Sequence, residues 1–176
     1  MQEPIERRQA SEWRLKARRF EGYAAIFNSK ATISDFEETV AAGAFADSLA
    51  RKDDVLGLVD HDPRRLLGRT KSGTLRLAED SRGLHFEVDL AETQLAADML
   101  ALMQRGDIGG ASFAFTVPPK GDTWEGRHRT LRKVNLIDVS IVQAHPAYAQ
   151  TSVSARSLNR QAMPLALVRR YMESIG

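Results

Sequence analysis

The 176-residue sequence predicts a β-rich α+β domain of about seven strands, a barrel or sandwich with two or three helices at its periphery. Three observations carry this expectation. Short runs with apolar side chains at every second position recur from residue 20 to residue 142. One long helical pattern, over residues 93–106, lies between two such runs, and clusters of Gly, Pro, Asn and Asp separate the runs from one another.

Composition narrows the class further. A hydrophobic fraction of 43% against 27% charged residues belongs to a globular chain, and 176 residues suffice for one domain with a substantial core, with no second complete domain expected. No apolar run has membrane-spanning length, and the N-terminus lacks the apolar stretch of a secretory signal, so no membrane partner is expected. Zero cysteines exclude a disulfide framework, a thiol nucleophile and Cys-ligated zinc. The net charge of +2 is too small to imply a polyanion by itself. Basic residues do cluster, at both ends and over 127–133, but with few aromatic side chains among them to stack bases, so an acidic protein partner suits them at least as well as a phosphate backbone, and no specific nucleic acid is expected.

Residues 1–19 are charged and aperiodic and read as a flexible basic leader. Phe20, Tyr23 and Phe27 mark a strand closed by the Asn28-Ser29 turn, and Phe45 and Leu49, one helical turn apart, suggest a short helix within 38–49 that Gly43 weakens. The apolar run Val55 to Val59 predicts a buried strand that delivers His61 at its end, with Pro63 expected to stop it. Residues 74–79 and 83–90 alternate cleanly around Asp80-Ser81-Arg82-Gly83 and predict a hairpin. Thr93 is placed to cap a helix whose Leu95, Met99, Leu102 and Met103 share one face and which Gly106 ends. A strand from Ala111 then alternates Phe113 and Phe115 against Ser112 and Ala114. Residues 124–133 read as a ragged basic hairpin arm, and 134–142 as a β-branched strand enclosing one carboxylate, Asp138. Residues 150–163 read as a linker, and 164–175 as a terminal amphipathic helix.

The chemistry-bearing side chains are few. Ser112 follows Gly109-Gly110-Ala111, where backbone without Cβ atoms lets a carbonyl approach N–H groups closely, as an oxyanion site requires; a plain turn before a strand is the competing reading. His61 supplies an imidazole, and Asp138 a carboxylate that is costly inside an apolar strand unless paired. Its partner is either that imidazole or one of Arg127, Arg129 and Arg132. His61, Ser112 and Asp138 are thus the base, nucleophile and orienting group of a candidate serine hydrolase.

The ordered set of motifs resembles the prohead (capsid maturation) serine proteases of tailed phages. It comprises Phe20-Glu21-Gly22-Tyr23-Ala24-Ala25-Ile26-Phe27-Asn28, Gly43-Ala44-Phe45, His61-Asp62-Pro63 with Leu67-Gly68-Arg69-Thr70, and Gly73-Thr74-Leu75. It continues with Arg105-Gly106-Asp107-Ile108-Gly109-Gly110-Ala111-Ser112-Phe113, then Asp138-Val139-Ser140-Ile141-Val142 and Pro146-Ala147-Tyr148. The resemblance spans residues 20–153 and implies a protease domain there, with a tail over 154–176 open to self-cleavage. It implies a fold similar to the herpesvirus assembly proteases, a compact barrel of about seven strands ringed by helices. It also implies a serine endopeptidase that needs no metal or organic cofactor and works inside the procapsid in the host cytoplasm. The substrates so implied are the scaffold protein, the scaffold-like segment of the major capsid protein, and the protease itself. The portal is a further candidate partner, and a homodimer or higher oligomer a candidate assembly. The family's histidine and serine fall on His61 and Ser112, and its third member on Asp138, with His145 as the alternative. A non-catalytic capsid-assembly or scaffold module on the same fold is the rival function.

Overall fold

The computed structural model describes residues 6–10, 12–15 and 18–143. Their sheet-rich α+β fold contains thirteen strands and two helices among the described residues. One five-stranded sheet has the order β1-β10-β13-β6-β7, built from β1 (Glu6–Ala10), β10 (Gly110–Thr116), β13 (Asn135–Val142), β6 (Leu56–Val59) and β7 (Asp62–Arg69). A second sheet orders β2 (Glu12–Leu15), β3 (Arg19–Ile26), β9 (Gly83–Asp89) and β8 (Leu75–Glu79). The third orders β11 (Asp122–Glu125), β12 (His128–Leu131), β5 (Phe36–Val40) and β4 (Ala31–Ile33). The helices are α1 (Ala46–Ala50) and α2 (Gln94–Arg105).

The expectation of a seven-stranded barrel is corrected on two points. The pairing gives three open sheets with no closed ring, and the strand count is nearly double. The added strands are short, charged or at sheet edges, where no apolar alternation is needed to hold them. Two of them lie in the expected leader: β1 pairs antiparallel with β10, and β2 with β3. Glu38 to Val40 belong to β5, and α1 is only five residues long. Pro63 does not end a strand; it lies within β7, the last strand of its sheet, where a missing N–H can face away from the ladder.

The strongly patterned elements form as expected. Thr93 Oγ1 accepts the Ala96 N–H at 3.2 Å, and Gly106 closes α2 at φ 80°. α2 buries Ala96, Met99 and Met103. Gly83 opens β9 where a Cβ would stand 2.0 Å from the Ala25 carbonyl oxygen, so the hairpin's junction with β3 admits no side chain. Phe45 joins the sheets: its ring stacks on Phe27 at 6.3 Å and meets Phe113 edge-on at 5.3 Å. Arg129 draws β1 to the third sheet, binding Glu6 at 2.9 Å, Asp122 at 2.8 Å and the buried Glu38 at 3.2 Å. Burial opposes the guanidinium charge, but these carboxylates outweigh it and raise its pKa above the ordinary value. Among the described residues no helix is long and apolar enough to cross a membrane.

Phe45→Ala is expected to cost about 3–5 kcal/mol, because a fully buried ring between two other aromatic side chains leaves a cavity. Urea unfolding with an unchanged m-value measures it, and a loss near zero contradicts the packing described.

Candidate active site

The site is built on β13, which lies between β10 and β6. Antiparallel register sets Ser112 of β10 opposite Ser140, and Ala114 opposite Asp138. Residues directly opposite share a face, as do residues two apart on one strand, so Ser112, Ser140 and Asp138 all project from one side of the sheet. On the other flank β6 runs parallel to β13 with Val59 beside Ile141, which brings the turn after β6 to the same side.

That turn sets the histidine. Val59 pairs with Asp62, leaving Asp60 and His61 as the central residues of a two-residue hairpin turn, with φ 54° and 59°. Positive φ at both positions is the requirement of a type I′ turn, usually met by Asn-Gly; a histidine there is strained. Contacts with β13 and the chain just after it impose the conformation. Asp60 N–H donates to the Ile141 carbonyl at 3.0 Å, and its carboxylate accepts the Gln143 N–H and the Arg65 guanidinium, each at 2.9 Å. His61 N–H donates to Ser140 Oγ at 3.2 Å.

The imidazole then bridges two strands. Its Nδ1 lies 2.6 Å from Asp138 Oδ1, and its Nε2 lies 2.8 Å from Ser112 Oγ. An ionised carboxylate only accepts, so Nδ1 carries the proton and Nε2 is left to accept from the Ser112 hydroxyl. Asp138 Oδ1 also accepts the Ser140 hydroxyl at 2.7 Å. Ser112 is 3% exposed, His61 8% and Asp138 4%, so the hydrogen bonds lie out of water and are correspondingly strong.

Three expected residues are therefore brought together. Asp138 pairs with His61 and none of the three arginines: Arg127 binds the Asp35 carbonyl, Arg129 its three carboxylates, and Arg132 the Thr123 hydroxyl. The acids flanking His61 in sequence turn elsewhere, Asp60 to Arg65 and Asp62 to Arg64. His145, and the tail expected beyond residue 150, lie outside the described residues. In the glycine segment, the Gly109 N–H donates to the Val142 carbonyl at 2.8 Å, Gly110 takes φ 149°, and Ala111 sits between Ala10 and Ile141. Ser140, given no role above, stands two residues after Asp138 on one strand, a spacing that places both on one face.

The fold is of the kind found in a solved viral capsid protease. It is similar to that of the bacteriophage T4 capsid assembly protease, with a TM-score of 0.56 at 13% identity, covering 81% of this chain and 98% of that one. Residues 4–164 match the caudovirus prohead serine protease family, and the chain belongs to that family. It is 30% identical over 139 residues to the prohead protease of Enterobacteria phage HK97, a match covering 77% of this chain and 59% of the relative.

Both His61→Gly and His61→Ala remove the imidazole, but only glycine adopts the positive φ freely. The glycine variant is expected to be the more stable by about 1 kcal/mol. Denaturant midpoints compared at equal m-value check this, and an alanine variant as stable as glycine contradicts a strained turn.

Proposed function

We propose that this protein is a serine endopeptidase of tailed-phage procapsids, acting by acyl transfer through Ser112, His61 and Asp138. One observation carries the proposal: in a member of this family, a buried imidazole stands within hydrogen-bond reach of both a serine hydroxyl and a carboxylate. Ser112 Oγ attacks the scissile carbonyl carbon as its proton passes to His61 Nε2. The tetrahedral adduct collapses, His61 returns the proton to the leaving amine, and water hydrolyses the acyl-enzyme by the same route. Asp138 holds the productive tautomer and stabilises the imidazolium that forms.

Its substrates are scaffold protein or the scaffold-like segment of the major capsid protein, and its own tail, cut inside the procapsid. The T4 protein is a capsid assembly protease and the HK97 protein a prohead protease, which supports this setting. Access requires movement, because Ser112 is buried and β1 lies along the outer edge of β10 with Gln9 opposite Ser112. Withdrawal of β1 opens that edge to an extended polypeptide, and frees backbone near Ala111 for the oxyanion. The Gly109 N–H, already bound to Val142, does not serve.

Ser112→Ala is expected to abolish processing of co-expressed scaffold and capsid protein while leaving the fold intact, and Asp138→Asn to lower kcat by roughly 10³–10⁴-fold. Unchanged processing by Ser112→Ala overturns the proposal. A fluorophosphonate probe is expected to label Ser112, and to do so faster in a chain lacking residues 1–11 than in the full chain; no labelling of either favours the non-catalytic assembly module.

A further inference from the structure

We infer that Ser140 is a positioning residue of this site, fixing through one hydroxyl both the carboxylate that orients His61 and the backbone that aims it. The inference rests on the reading of Ser112, His61 and Asp138 as a catalytic set, and goes beyond it by adding a fourth side chain.

Ser140 is fully buried on β13. Its Oγ donates to Asp138 Oδ1 at 2.7 Å and accepts the His61 N–H at 3.2 Å. With the 2.6 Å contact from His61 Nδ1 to the same Oδ1, these bonds close a ring: His61 backbone to Ser140, Ser140 to Asp138, Asp138 back to the His61 imidazole. A single hydroxyl offers one proton and accepting lone pairs, and both functions are used. Each bond has a separate consequence. The bond to Asp138 offsets part of the carboxylate charge and fixes its rotamer. The bond from His61 N–H helps hold a non-glycine residue at φ 59°, a conformation that would otherwise relax and swing the ring away from Ser112. Asp138 and Ser140 are two apart on one strand and Ser112 is opposite Ser140, so no loop movement is needed to assemble the ring.

Loss of this hydroxyl has a signature that a packing defect lacks. Without its second donor the carboxylate and the ring it orients leave the productive geometry, which slows the chemical step and leaves substrate binding unchanged. In the full chain, Ser140→Ala is expected to lower kcat about 10- to 100-fold, the size of loss seen when a partner orienting a functional ligand is removed. KM is expected to stay within about twofold, since Ser140 touches no substrate. Ser140→Thr and Ser140→Val add the same volume and differ only in the hydroxyl, so any cost of crowding is common to both. Thr is expected to exceed Val in fluorophosphonate labelling rate at least tenfold. Equal labelling by Thr and Val, or an unchanged kcat in Ser140→Ala, overturns the inference while leaving a reactive wild type and the proposed function standing. Failure of the wild type itself to label would instead remove the reading on which the inference rests.

Discussion

The register of β13 against its two neighbours is the constraint on which the site depends. Antiparallel pairing with β10 sets Ser112 opposite Ser140, while parallel pairing with β6 delivers His61 beside the same face. A slip of one residue in either ladder would turn Asp138 and Ser140 to the opposite side of the sheet and separate the imidazole from its carboxylate. The apolar side chains that alternate with these groups hold the register. Phe113, Phe115, Val139 and Ile141 are buried, so the slip that misplaces the polar groups would also displace the core.

Strain and its compensation sit at the same place. Two successive residues with positive φ carry a cost of order 1–3 kcal/mol each, and no glycine is present to lower it. The turn persists because four hydrogen bonds bind it to β13, to the residue just after it and to Arg65. The same β13 supplies the partner for the ring, so the strained backbone and the functional side chain are stabilised by one element. A carboxylate buried in a β-branched strand, destabilising in isolation, is satisfied by two donors that themselves belong to the site.

A second buried ionic group works at a distance from this face. Arg129 gathers carboxylates from β1, β5 and β11, and so ties the N-terminal strand to the third sheet while that strand pairs along β10. Glu6 of the expected leader and the buried Arg129 of the expected basic hairpin arm therefore meet. Isolated charges in short strands carry no period, and only their three-dimensional convergence makes burial affordable.

Period and punctuation in the amino-acid order determined the parts of this protein that need only local physics. The hairpin around residues 80–83, the capped helix ending at Gly106 and the alternation that faces Ser112 away from Phe113 and Phe115 are consequences of pleat, helical repeat and turn chemistry. The hydroxyl, imidazole and carboxylate were also visible as residue types, within motifs that resemble those of the prohead proteases. Tertiary structure alone decided that sheets stay open, that Pro63 continues a strand, that Asp60-His61 form a strained turn, and that Ser140 joins Asp138 to His61. Those outcomes arise from pairing between strands far apart in the chain, such as β1 with β10 and β6 with β13, and a contact of such separation leaves no periodic mark on the sequence that makes it.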